Sequence, residues 1–163
     1  MDIDKARQQI DAWFPALAAQ GYRITSSADV SYNCISWAVG ETNRRWDIAP
    51  GYYWPIKPRA RAAQSLIFAF ESVGFKILRE LDSDTASNLA AITPEPGIEK
   101  VAIYVIGKNW THAARTLENG KWTSKLGDYE DIEHETLEGF EMFYGKAKYI
   151  MAKTKVPAAA VSG

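Results

Sequence analysis

The spacing of hydrophobic positions changes partway along the chain. Over residues 3–20, Ile3, Ala6, Ile10, Trp13, Phe14 and Leu17 recur every three or four positions, the period of an amphipathic helix. Pro15 falls inside this pattern, and its missing N–H predicts a kink or a division there. Gly21, just past the last periodic residue, is a natural stop. A polar loop, TSSADVSYN (25–33), leads into a short apolar helix at 34–39, with Ser31 or Asn33 placed to cap it. Residues 40–58, rich in Arg, Trp, Tyr, Pro and Gly, read as an irregular surface loop. Further helices are expected at 59–74 and 83–92, with a short strand at 75–78 between them. After the break TPEPG the period becomes two. KVAIYVIG (100–107), WTHAARTL (110–117) and KWTSKL (121–126) predict three strands, the last two joined by an Asn-Gly hairpin at Glu118 to Gly120. The acidic stretch GDYEDIEHETLEG, with a short helix near its end, precedes a last strand at 146–153. Helices first and an antiparallel meander afterwards predict an α+β fold with the helices on one face of the sheet. The expected organisation is one domain over 1–155 followed by a frayed tail at 156–163.

Composition narrows the class. The 163 residues are 47% hydrophobic and include six tryptophans, enough to bury a real core and to exclude disorder. Lys and Arg number 19 against 20 Asp and Glu, so the net charge of −1 supports neither a nucleic-acid nor an anionic-membrane partner. The opening MDIDKARQQI has no apolar signal-peptide segment, and no apolar run reaches the roughly 20 residues of a membrane span. One cysteine excludes an internal disulfide and a CxxC metal site. A cytoplasmic, reduced protein is the expectation.

That cysteine carries the chemical question. Cys34 opens the short helix, where the positive end of the peptide dipoles favours thiolate, and nucleophilic cysteines also need an imidazole within reach. His112 lies on the middle strand of the meander, sharing a face with Ala114 and Thr116; His134 is the other histidine. Ser124, Asp128, Asp131 and His134 are candidates to orient the base. A lone cysteine is equally suited to packing as a small apolar residue. A metal site would require Cys34, His112 and His134 to converge. The loop around Arg44, Arg45, Trp46, Tyr52, Tyr53 and Trp54 has the residue types of a contact surface, or of a flap folded over the core. GKWTSKLG lacks phosphate-loop spacing, and the acidic stretch lacks the spacing of a calcium loop and reads as a solvated face.

NCISWA, VAIY, HAAR, GKWTSKLG and DIEH resemble an uncharacterised group of bacterial and phage proteins, themselves distantly similar to the papain-like cysteine fold in its NlpC/P60 and transglutaminase-like branches. The likeness runs from about Ser31 to Tyr144. It implies a papain-like topology and a cysteine hydrolase or acyltransferase acting on an amide or thioester, with no cofactor and no metal. Cys34 would be the nucleophile, His112 the base, and Asp128 or His134 the orienting residue. Asn33, Arg45, Trp46, Trp54 and Ser124 are the residues expected to contact a peptide or protein substrate. In the NlpC/P60 branch a histidine precedes the VAIY segment, and here that position is Lys100. The alternative to an enzyme is a non-catalytic module of the same fold that holds a partner with the aromatic and Arg loop at 44–54.

Overall fold

The computed structural model describes residues 1–155, and the tail expected at 156–163 lies outside the described residues. The chain begins with α1 (Ile3–Trp13), capped by Asp2, whose carboxylate accepts from the Lys5 N–H at 3.0 Å. Pro15 divides the amphipathic pattern as expected: it opens α2 (Pro15–Gln20), where its lack of an N–H leaves no bond unmade. Gly21, with φ 91°, ends α2 and turns the chain into β1 (Tyr22–Ser26). Then come α3 (Cys34–Ala38), α4 (Ala63–Glu71), β2 (Lys76–Glu80) and α5 (Thr85–Ile92). The meander is β3 (Ile98–Ile106), β4 (Asn109–Thr116), β5 (Trp122–Lys125) and β6 (Asp131–His134), followed by α6 (Glu141–Tyr144) and β7 (Lys146–Thr154).

The seven strands form one antiparallel sheet in the order β1-β6-β5-β4-β3-β7-β2. The meander is therefore its centre, and β1, β7 and β2 are added at the sides. The expected α+β class and the three meander strands agree with this arrangement; two other expectations do not. Helices cover both faces of the sheet, not one. On one face α1, α2 and α5 bury Ile10, Leu17 and Ala91 against Ala102, Ala114, Trp122 and Ile132. On the other, α3 and α4 bury Ile35, Leu66 and Phe70 against Val101, Ile103, Ala113 and Met151. The acidic stretch is likewise not a solvated face. Its centre is β6, covered on both sides, with Asp131, Glu133 and His134 all buried. Asp131 accepts from Tyr32 at one carboxylate oxygen (2.7 Å), and Glu133 accepts from Arg23 and Asn119.

An irregularity in β4 positions the site. The β3–β4 register shifts between Tyr104↔His112 and Val105↔Trp110, leaving Thr111 as an extra residue. Strict alternation would place Trp110 and His112 on one face. The bulge sends Trp110 into the α4 side of the core and His112 to the α1 side.

Candidate functional site

Asn33 builds the start of α3. Its side chain accepts from the Ser36 N–H (3.1 Å), Ser36 Oγ accepts from the Asn33 N–H (2.9 Å), and Asn33 Nδ2 donates to the Trp46 carbonyl (2.8 Å). This buried residue fixes both the first turn of the helix and the loop that follows it. Cys34 is half-buried against the α4-side core. The β4–β5 ladder consists of Arg115↔Thr123 and Thr116↔Trp122. Just past its end the Ala113 N–H faces the Cys34 sulfur, together with the N–H groups of Cys34 and Ile35. That contact is with the backbone of β4: Cys34 packs on the α4 side of the sheet, and the His112 ring is turned to the α1 side. Burial nevertheless pushes the thiol up to about 11, outweighing those N–H groups and the charge of Arg45. At rest it is a neutral thiol.

His112 is fully buried on the α1 side, its ring stacked on Tyr144 at 4.2 Å and 3° and flanked by Tyr104 and Phe140. Burial, with His134 nearby, pushes it down to about 3, so the imidazole is neutral. His134 is pushed down to about 4, again by burial, against the raising effect of the Thr136 carbonyl. A hydrogen-bond chain links the two rings: His134 Nδ1 to the Thr136 carbonyl (2.7 Å), Ser124 Oγ to His134 Nε2 (2.8 Å), and Ser124 Oγ to His112 Nε2 (3.0 Å).

The direction of that chain follows from its end. A carbonyl only accepts, so His134 Nδ1 carries the proton and its Nε2 is a bare acceptor. Ser124 therefore donates to His134, and its oxygen accepts from His112 Nε2–H. What remains is His112 Nδ1, unprotonated, buried and without a hydrogen-bond partner among the described residues. Burying an unpaired acceptor costs about 1–3 kcal/mol. Here the fold imposes that cost on the one atom that a base would use.

The other candidates fall into two groups. Ser124 bonds to His112 directly, and His134 is joined to it through Ser124. Asp128 does not: it is exposed at the β5–β6 turn and paired with Arg45 at 2.5 Å. Arg45 also donates to the Val30 carbonyl (3.1 Å), so it pins the loop ahead of Cys34. Trp46 is fully buried, with its Nε1 donating to Glu41 (2.6 Å), and Trp54 stacks on Trp110 at 5.6 Å and 13°. These two tryptophans fold down over the core, so Tyr52 is the aromatic of that loop left exposed. Lys100 is buried, its ammonium bonded to the Ala91 and Thr93 carbonyls at the end of α5 and to Glu95. Among the described residues no three of His, Cys, Asp and Glu come together as metal ligands, and no helix is long and apolar enough to cross a membrane.

Two contributors were not singled out from the sequence, and a third was noted only within the rejected phosphate-loop motif GKWTSKLG. Tyr144 supplies the face on which His112 stacks, Thr136 supplies the carbonyl that sets the tautomer, and Lys125 anchors the loop before Cys34. The first two act through ring placement and a backbone atom, which no residue pattern announces. Lys125 had a signal: a lysine in a strand otherwise closed to solvent must be paired.

Residues 23–152 match a family described as a domain of unknown function (DUF7689). No curated protein and no solved structure matches the chain.

Proposed function

The chain belongs to that family of unknown function, DUF7689, and from its geometry we propose a cysteine-dependent hydrolase or acyltransferase of papain-like kind, with Cys34 as nucleophile and His112 as base. The observation that carries the reading is the bare, buried Nδ1 of His112, oriented by Ser124 and His134, on the strand whose Ala113 N–H faces the Cys34 sulfur.

In the proposed reaction the substrate carbonyl docks over Cys34. The thiol proton passes to His112 Nδ1 while sulfur bonds to the carbonyl carbon, and backbone N–H groups at the start of α3 receive the developing oxyanion. The tetrahedral adduct collapses as the new Nδ1–H protonates the leaving amine or thiolate, leaving a thioester on Cys34. Water, giving its proton to Nδ1, or another nucleophile then releases the acyl group and restores the thiol. As Nδ1 gains a proton, His112 becomes cationic, and the Nε2–H···Ser124 bond strengthens. No hydrogen bond joins Cys34 and His112 at rest, so the proton transfer belongs to the substrate complex, where such contacts tighten.

A second reading has one observation in its favour. The burial that pushes the thiol up to about 11 suits a packed residue. On that reading the fold is a binding module that uses the 44–54 loop. Alkylation of Cys34 by iodoacetamide as a function of pH separates the two. The enzyme reading expects alkylation at neutral pH that is slower in His112→Ala, because the imidazole takes up the thiol proton as the sulfur attacks. A thiol equally slow in both folded proteins favours the binding module.

A further inference from the structure

From Ile48 to Phe70 the chain contains no aspartate or glutamate. Lys57, Arg59 and Arg61 are exposed within this stretch, and Lys108 is exposed at the tip of the β3–β4 hairpin. The hairpin is tied to the same segment: the Ala63 N–H donates to the Lys108 carbonyl (3.0 Å) and the Trp110 N–H to the Arg61 carbonyl (2.9 Å). The described residues contain nine ion pairs, and none of them involves these four cations.

The patch is also held in place. Arg61 lies over the Trp110 ring at 4.6 Å, and Trp110 is stacked on Trp54. Arg59 donates to the Ala49 and Tyr52 carbonyls at 3.1 and 3.0 Å, which brings the exposed Tyr52 beside the charges. Four like charges without an ion pair among the described residues repel one another, and an anionic partner removes that repulsion. Arg45, on the same loop, carries positive potential on to the Cys34 thiol.

We propose that this face binds an acidic peptide segment of another protein, its carboxylates pairing with Lys57, Arg59, Arg61 and Lys108 and its backbone lying against Tyr52. A nucleic acid is disfavoured, since the chain as a whole has a net charge of −1 and a pI near 6.1. The proposal does not depend on Cys34 reacting, so its test uses the Cys34→Ala protein.

Fluorescence anisotropy with a labelled Asp/Glu-rich peptide, a Lys-rich peptide and a single-stranded oligonucleotide of equal length makes the test. The acidic peptide is expected to bind, to weaken as salt is added, and to bind about tenfold more weakly to the Lys57→Glu/Arg61→Glu/Lys108→Glu triple variant with unchanged thermal unfolding. If the triple variant does not fold, the exposed pair Lys57→Gln/Lys108→Gln takes its place and is expected to lose about threefold. Equal binding of acidic and basic peptides, salt-insensitive binding, preference for the oligonucleotide, or unchanged affinity in the folded variant would each overturn the proposal.

Discussion

Ser124 and Lys125 are neighbours in sequence on β5 and serve opposite sides of the sheet. Ser124 faces the α1 side, where everything it touches is neutral: two imidazoles held uncharged by burial inside a shell of Tyr104, Phe140 and Tyr144. Lys125 faces the α3 side. Its ammonium is held by the carbonyls of Asp29 (2.7 Å), Gly127 (2.9 Å) and Tyr129 (2.5 Å) and lies 4.8 Å from the centre of the Tyr32 ring. One residue orients the His112 ring, and its neighbour ties the loop before Cys34 to the strand that carries Ser124. The difference shows how one short motif supports a site from both faces of a sheet. It also separates positioning by proton relay from positioning by a buried charge, and the two should fail differently.

Acid should strain the Ser124 side most. His112 and His134 sit at about 3 and about 4 in the folded chain against 6.5 when exposed. Their charged forms favour the unfolded state, so the stability held above about pH 6.5 is lost as pH falls toward those folded values. From about pH 7 to about pH 5 the loss should be on the order of 2 kcal/mol for each histidine, read from urea midpoints, and His134→Gln should reduce the slope by roughly half. A slope no steeper than that of a protein with exposed histidines would contradict the burial of this pair.

Lys125→Met should cost about 2–4 kcal/mol, because three carbonyls lose a charged donor. Proteolytic nicking should then move to the loop around Asp29 while the His112 ring environment stays unchanged. Loss of His112 order in that variant would mean the two sides are not separable.

Ser124→Ala should cost about 1–3 kcal/mol by leaving two ring nitrogens without their partner. It should leave the Lys125 contacts in place, and its distinguishing effect is on the tautomer. In wild type, nitrogen NMR at neutral pH should show His112 protonated at Nε2; in the variant that preference should be lost. An Nδ1–H form of His112 in wild type would reverse the direction of the relay. The mildest change is Thr123→Val, which removes the hydroxyl that accepts from Trp37 Nε1 (3.1 Å) and donates to the Ile132 carbonyl (2.8 Å), at about 1 kcal/mol by chemical denaturation.

Much of this framework was legible in the sequence. Period two marked β3, β4 and β5, and Pro15 marked the division between α1 and α2, because both signals are local. Asn33 was a readable cap for the same reason. The strand inside the acidic stretch was not readable, since its carboxylates are buried by partners far away in the chain: Arg23 reaches Glu133 and Tyr32 reaches Asp131. β1, at the end of the sheet beside β6, was hidden in the same way. At the site, Cys34 and His112 were visible as residue types, and Ser124 and His134 as candidates. The bulge at Thr111 that sets which face His112 takes comes from pairing with β3, and no spacing within β4 announces it. Asp128 was a candidate by residue type and by resemblance alike; in the structure it belongs to Arg45 on an exposed turn.

The proposed reaction stands on an acyl intermediate at Cys34 formed with His112 Nδ1 as base. The most direct measurement is mass spectrometry of the intact protein after brief exposure to an activated acyl ester, followed by mapping of the modified peptide. One acyl group is expected on the Cys34 peptide of the wild type, with slower labelling in Ser124→Ala and labelling slowed about a hundredfold in His112→Ala. Folded wild-type protein that takes no acyl group, or that labels no faster than folded His112→Ala, would contradict it.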